Sequence, residues 1–203
     1  MSRRPKVTIL YEDARGPRTE FGLHRLVLAA VRDFGELGAL PHHEVASALD
    51  PRPLKGIDQV LRTCLEDLTY LACDGRKVAV VVDEDVLRDK LKLPPGTALQ
   101  AVKENIVTRC PEQVRPQVAV FVLSRNTESV LKAAQTCVQE HRADTPSAEQ
   151  FERALRKDLL ARDQVLSGVA KDTHVKVRRC IEVKVPALGE LVAWLTLTLT
   201  AHA

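Results

Sequence analysis

Acidic residues stand directly after two apolar runs of this sequence, at a spacing that suits cation binding. Asp83 and Asp85 follow the run 77–82, and Glu12 follows the run 7–11. Two carboxylates one residue apart in an extended segment point roughly the same way, because side chains alternate along a strand. Carboxylate oxygens are preferred ligands of magnesium and manganese. The spacing therefore makes Asp83 and Asp85 candidate metal ligands.

The same acids have a plainer interpretation as residues of helix N-termini. Asp and Glu are favourable in the first turn of a helix because they complement the helix dipole. Glu128, which follows a third apolar run at 118–123, is open to both interpretations: it serves the dipole of the next helix or points into the same pocket. Because the carboxyl ends of parallel strands meet at one edge of a sheet, we favour a shared cation site over three separate caps.

Continuous apolar runs predict the strands that would position these acids. Runs without polar alternation are typical of strands that are covered on both faces of a parallel sheet. The predicted strands are 7–11, 78–82 and 118–123. Helical periodicity predicts helices at 20–34, 54–71 and 97–108, and another that begins near Asn126 or Thr127. Strands that alternate with helices indicate an α/β domain with a Rossmann-like parallel sheet, and we assign residues 1–141 to it.

Residues 142–203 are predicted to form a helical extension that packs on this domain. A polar stretch with Pro146 marks the joint, and helices are predicted at 148–169, 175–183 and 187–201. The extension carries the densest group of basic residues in the chain, which forms either a solvated helix face or a clamp for a phosphate backbone. The candidate phosphate-binding residues are Arg178 and Arg179 in the extension, and Arg15, Arg18 and Arg125 beside the strand ends.

Composition is ordinary for a soluble globular protein. Of the 203 residues, 45% are hydrophobic and 28% are charged, and the formal net charge of +3 is too small to identify a nucleic-acid partner. The aromatic fraction of 3% argues against a surface that binds single strands by base stacking. If the partner is a nucleic acid, we expect its phosphates to be the part that is bound.

The cysteines and the segment lengths favour a cytoplasmic protein. The chain has five scattered cysteines and no CxxC pair, a pattern that predicts reduced thiols and argues against a zinc cluster or a disulfide framework. The N-terminal residues lack the pattern of a signal peptide. Every apolar run is shorter than the roughly 18 residues of a membrane span, so we expect no membrane association.

The predicted site suits phosphoryl transfer or phosphodiester cleavage. In such reactions a divalent cation neutralises developing charge, and a carboxylate positions or deprotonates water. The sequence contains neither a GxGxxG phosphate cradle nor a P-loop, and no GxSxG nucleophile motif.

Glu12 in VTILYED and the aspartates of VAVVVDED, Asp83 and Asp85, together resemble the Toprim domain of topoisomerases, primases and overcoming-lysogenization-defect nucleases. The resemblance covers roughly residues 6–140. It implies a Rossmann-like sheet, magnesium held by the two aspartates, and Glu12 as general acid or base or as a further ligand. The segment RNTE at 125–128 resembles the acid-bearing segment of small stand-alone Toprim-like proteins of bacterial defence and mobile-element systems, which implies an auxiliary role for Glu128.

The sequence departs from the Toprim pattern in two places. Asp13 stands where a glycine often follows the family glutamate, and no candidate topoisomerase tyrosine is evident because Tyr11 and Tyr70 lie in apolar patterns. Strand passage is therefore not expected.

Three functions are consistent with the sequence. The first is a nuclease or nuclease subunit that depends on Mg2+ or Mn2+, acts on nucleic acid and is compatible with an ATPase or another protein partner. The second is a non-catalytic Toprim-like module that binds a protein or a nucleic acid. The third is a small phosphatase, although that class places its Asp-x-Asp motif on the first strand of the core. The last apolar helix suits either core packing or a homo-oligomer contact.

Overall fold

The computed structural model describes residues 6–13, 21–33, 42–94, 96–124, 127–156 and 158–201. The chain divides into two compact units, each described by itself: unit 1 comprises Met1–Arg18 and Ser47–Asn126, and unit 2 comprises Thr19–Ala46 and Thr127–Ala203. The predicted domain boundary between residues 141 and 142 stays a prediction.

The described elements are four strands and a larger number of helices. The strands are β1 (Val7–Asp13), β2 (Leu49–Lys55), β3 (Lys77–Asp83) and β4 (Val118–Leu123). The helices are α1 (Gly22–Asp33), α2 (His42–Ala48), α3 (Gly56–Glu66), α4 (Leu68–Leu71), α5 (Glu84–Leu91), α6 (Leu99–Arg109), α7 (Thr127–Glu140), α8 (Ala148–Leu155), α9 (Leu159–Val169), α10 (Val175–Lys184) and α11 (Pro186–Thr200).

The strands of unit 1 form one parallel sheet in the order β2-β1-β3-β4. Val7 pairs with Lys77 and Tyr11 with Val81 in the ladder between β1 and β3, which sets these two strands side by side with their carboxyl ends together. The predicted α/β class, with a parallel sheet flanked by helices and with helices at the C-terminal end, is confirmed.

Strand β2 was missed from the sequence: residues 42–53 were assigned to no element, and a helix was predicted from residue 54. Its sequence, LDPRPLK, contains two prolines and three charges and lacks an apolar run. Proline cannot donate a hydrogen bond to a ladder, so strands that contain it lie at sheet edges, and β2 is an outer strand of the described sheet. The run 118–123 was predicted as a strand covered on both faces; β4 is buried from Val120 to Leu123, but it is the other outer strand of the described sheet and not an interior one.

Two predicted helices are interrupted in the structure. The predicted helix 54–71 begins as strand β2 and is broken again at Asp67, between α3 and α4. The predicted helix 148–169 is divided into α8 and α9. Asp158 starts the second of these because its Oδ1 accepts a hydrogen bond from the backbone N–H of Ala161 at 3.0 Å, an N-cap that begins a new helix.

The core of unit 1 covers one face of the sheet. Alternate strand residues such as Leu10, Val80 and Val122 belong to a buried apolar cluster that also contains Val60 of α3 and Ile106 of α6. The side chains on one face of a strand recur with a period of two residues, so this alternation fixes the face against which these helices pack. The helices thereby hold the strand ends in fixed positions.

Unit 2 is a helical assembly joined by polar contacts as well as by apolar packing. Helix α1 packs against α9, and α7 packs against α10. The backbone N–H of Gly22 donates to Oδ1 of Asp163 at 3.0 Å, and a Cβ on Gly22 would lie 2.7 Å from the Cα of Asp163. The approach of α1 to α9 therefore requires glycine at this position.

The prediction that all five cysteines are reduced is wrong. Cys137 of α7 and Cys180 of α10 form a disulfide, with their Cα atoms 5.8 Å apart. The remaining cysteines, Cys64, Cys73 and Cys110, are free thiols. Scattered spacing could not reveal the pair, because 43 residues separate its members along the chain.

Among the described residues, every helix is too short or too polar to span a membrane.

Candidate functional site

The strand order of unit 1 places a switch point between β1 and β3. The chain passes from β1 to β2 on one side and then returns to β3 on the other side of β1. In doubly wound sheets of this order, ligands bind outside the carboxyl ends of the two strands at such a point. Glu12 and Asp83 occupy those two ends. The fold therefore presents the predicted acids where this class of sheet binds its ligands.

The side chain of Glu12 is held by backbone groups of two other segments. Its Oε2 accepts a hydrogen bond from the backbone N–H of Asp83 at 3.0 Å. The carboxylate also accepts a backbone hydrogen bond from Ile57, in the first turn of α3. Both contacts stay within unit 1. Glu12 thus connects the end of β1 to the end of β3 and to the start of α3.

Burial raises the pKa of the Glu12 carboxyl above its ordinary value of 4.5. The two backbone hydrogen bonds favour the ionised form and lower this pKa in part. The neighbouring carboxylates of Asp58 and Asp85 raise it further, because like charges disfavour ionisation. The net effect is a raised pKa of Glu12. A divalent cation at this place would relieve the repulsion between the three acids.

Asp83 and Asp85 do not share one extended segment, as the sequence had suggested. Strand β3 ends at Asp83, and α5 begins at the next residue, so Asp85 lies in the first helical turn. The strand period therefore does not govern their relative direction. Asp83 is half-buried and Asp85 is exposed. Asp85 is nevertheless close enough to Glu12 to raise its pKa. Glu84, between the two, forms an ion pair with Arg88 at 2.8 Å.

Asp58 is a further acid of this site that was not predicted from the sequence. It lies in the first turn of α3, its carboxylate pairs with Nζ of Lys90 at 2.7 Å, and it raises the pKa of Glu12. Had β2 been recognised, the acid just after that strand would have been a candidate by the same reasoning that selected Asp83. Asp58 was overlooked because strand β2 was not predicted.

The donor set fits Mg2+ or Mn2+ with few protein ligands. All candidate ligand atoms are carboxylate oxygens, which hard cations prefer. Within the described part of the chain, no three carboxylates of this site offer oxygens within 4.8 Å of one another. Mg2+ usually binds through one or two carboxylates and keeps several waters. The arrangement suits that mode of binding: of Glu12, Asp83 and Asp85, two would hold the ion at a time, and water would complete its coordination.

The other predicted site residues lie elsewhere. Glu128 is half-buried in the first turn of α7, which belongs to unit 2, and its auxiliary role stays a prediction. Arg15, Arg18 and Arg125 lie outside the described residues. Arg179 is half-buried, and its guanidinium donates to the backbone carbonyl of Asp33.

Arg178 must be removed from the predicted phosphate-binding set. Its side chain is 1% exposed, and its Nε and Nη2 donate to the carboxylate of Asp33. Its Nη1 donates to the backbone carbonyls of Val169 and Lys171. A guanidinium that is enclosed and engaged in this way presents no surface to a phosphate. The basic cluster is therefore partly a structural element of unit 2.

Comparisons with known proteins add one distant likeness. The solved structure of the C-terminal region of the Burkholderia pseudomallei OLD protein is similar to this chain with a TM-score of 0.39 and 11% sequence identity, over 94% of this chain and 96% of that one. A likeness this distant supports no conclusion about fold or activity. No family model matches the chain, and no curated protein matches it.

Proposed function

We propose that the carboxyl edge of the sheet in unit 1 is a phosphodiesterase site that depends on Mg2+ or Mn2+, in a nuclease or nuclease subunit. One observation carries the proposal: Glu12 lies at the switch point between β1 and β3, with Asp58 and Asp85 close enough to raise its pKa. Carboxylates that repel one another at a ligand-binding edge are stabilised when a cation binds between them.

Each acid has a distinct proposed role. Asp83 and Asp85 would hold the cation, and Glu12 would act as the base that takes a proton from the attacking water. A raised pKa supports the role of Glu12, because a carboxylate with a higher pKa is a stronger base. When bound, the cation would neutralise charge on the phosphate and acidify the water. The backbone hydrogen bonds from Asp83 and Ile57 fix the direction of the Glu12 carboxylate, so that it does not need to be reordered for each turnover.

Nucleic acid is the proposed substrate, bound through its phosphates. Arg15, Arg18 and Arg125 are the proposed contacts. A role in bacterial defence or in a mobile element, with an ATPase or other protein partner, belongs to the same proposal.

The substitution Asp83→Asn tests this function. It removes the charge of a proposed ligand but keeps the size of the side chain. It also keeps the backbone N–H that donates a hydrogen bond to Glu12. We expect loss of Mg2+-dependent cleavage of polynucleotides with an unchanged thermal unfolding midpoint. Asp89→Asn, at an exposed position of α5, is the matched control and should retain activity. Cleavage that survives Asp83→Asn would overturn the assignment.

A non-catalytic module is the second candidate, and one observation favours it. The two backbone hydrogen bonds of Glu12 give this residue a structural role that needs no metal. Titration with Mg2+ or Mn2+ separates the two candidates, because a bound cation raises stability by mass action. A module without a site should show no saturable rise of the unfolding midpoint. A small phosphatase, the third candidate, would instead hydrolyse a generic phosphomonoester and leave polynucleotides intact.

A further inference from the structure

The disulfide of unit 2 has a carboxylate beside it. Cys137 and Glu140 are three residues apart on α7 and therefore share a face of that helix. Cys180 lies on α10, and its Sγ is 3.3 Å from Oε2 of Glu140. One ligand atom from each of these three residues falls within 4.8 Å of the other two. Two sulfurs and one carboxylate oxygen are thus gathered at one place.

These spacings are close to those of a tetrahedral zinc site. With Zn–S near 2.3 Å and Zn–O near 2.1 Å, a tetrahedron places a sulfur and an oxygen about 3.6 Å apart and two sulfurs about 3.8 Å apart. The distance between Cys180 and Glu140 is already near this value. The two sulfurs must separate, and breaking the S–S bond permits that by side-chain rotation.

We propose that reduction of the disulfide converts Cys137, Glu140 and Cys180 into a binding site for Zn2+. A dithiol reductant supplies two electrons and two protons, so the S–S bond becomes two thiols and the reductant becomes a disulfide. Zinc then displaces the two thiol protons, which pass to solvent, and binds both thiolates together with the carboxylate. The site lies in unit 2 and does not depend on the function proposed for unit 1.

The surroundings suit an open and anionic zinc site. A cavity of about 480 Å³ adjoins Cys180 and Glu140, so water can take the fourth position, as in zinc sites with three protein ligands. Two thiolates and a carboxylate leave one net negative charge after zinc is bound. Lys184, whose Nζ is 3.0 Å from Oε1 of Glu140, and Arg179, which lines the same cavity, complement that charge.

Cobalt is the probe, because Co2+ substitutes for zinc and its thiolate complexes absorb in the near ultraviolet. The full chain, reduced with a phosphine and kept without oxygen, is titrated with Co2+. We expect a thiolate-to-cobalt charge-transfer band that saturates at one equivalent and disappears when Zn2+ is added. The oxidised protein should show no such band. A reduced protein without the band would overturn the proposal.

Three variants identify the ligands. Cys180→Ser should abolish the band. Glu140→Gln, an exposed position that does not threaten folding, should weaken Co2+ binding about tenfold or more, whereas the control Glu149→Gln should not change it. Cys73→Ser, which removes the one free cysteine that is not buried, should also leave the band intact. A band that persists in Cys180→Ser, or an affinity unchanged by Glu140→Gln, would refute the three-ligand site.

Discussion

Oε2 of Glu12 accepts a hydrogen bond from the backbone N–H of Asp83 at 3.0 Å, across the ends of two neighbouring parallel strands. The backbone ladder between these strands ends at the pair Tyr11 and Val81, so a side chain continues the hydrogen bonding where the backbone stops. The same carboxylate accepts from the backbone of Ile57. One side chain therefore fixes three segments around the switch point of the sheet.

Replacing Glu12 should separate its structural role from its charge. Glu12→Ala leaves the N–H groups of Asp83 and Ile57 without this acceptor, which should lower the free energy of unfolding by about 2 kcal/mol. Glu12→Gln keeps an oxygen acceptor and should be much less destabilising. Urea unfolding at neutral pH measures both. If the two variants are equally stable, the hydrogen bonds do not support the fold.

The raised pKa of Glu12 also predicts a dependence of stability on pH. The folded state binds the proton of this carboxyl more tightly than the unfolded chain does, so its contribution to stability falls as pH rises from 4.5 toward the raised folded pKa. Glu12→Gln lacks this titration. The difference in unfolding free energy, variant minus wild type, should therefore increase across that window and then level off. Saturating Mg2+ should reduce the difference, and parallel pH profiles would contradict the burial of the charge.

Asp58 provides a test of the acid that the structure adds to the site. Asp58→Asn removes a charge that raises the pKa of Glu12, so that pKa should fall. If Asp58 assists cation binding, the affinity for Mg2+ should fall about tenfold, as measured by the metal-dependent rise of the unfolding midpoint. Asp67→Asn, at an exposed position that follows α3, is the control. If the affinity for Mg2+ does not change, Asp58 has no part in cation binding and only forms its surface ion pair with Lys90.

Of the four strands that the structure describes, three could be predicted from the sequence because burial on both faces leaves a continuous apolar run. Strand β2 could not be predicted in this way. Its Pro51, Arg52 and Pro53 have low strand propensity, and the segment is extended because it pairs with β1, where Tyr11 is opposite Pro53. That pairing is a tertiary contact, and local sequence does not encode it.

The candidate site shows the same limit. Glu12 and Asp83 were predicted because each directly ends an apolar run. Asp58 was not, because its position depends on β2. Arg178 was misjudged because its partner, Asp33, is 145 residues away along the chain. A cluster of basic residues on a predicted helix does not reveal which of them a distant acid will bury.

The pair of Asp33 and Arg178 predicts a large effect on stability. Arg178→Met would leave the carboxylate of Asp33, which is 11% exposed, without its main cation. Breaking one side of a buried ion pair costs about 3–5 kcal/mol, which urea unfolding would detect. Arg156→Met removes a cation that is 81% exposed and should change stability by less than about 0.5 kcal/mol. Equal effects of the two substitutions would contradict the burial of Arg178.

The disulfide predicts a difference in stability between oxidised and reduced protein. Cys137 and Cys180 are separated by 43 residues, and closing a loop of that length in the unfolded chain accounts for about 4 kcal/mol in the chain-entropy model. Reduction, or Cys180→Ser, should therefore lower the free energy of unfolding by about 2–4 kcal/mol, whereas Cys73→Ser should have little effect. Thiol titration of the denatured protein counts the free cysteines. Without reductant we expect three reactive thiols, because three of the five cysteines are free. Five reactive thiols without reductant, together with an unfolding midpoint that reductant does not change, would show that the two cysteines are not bonded.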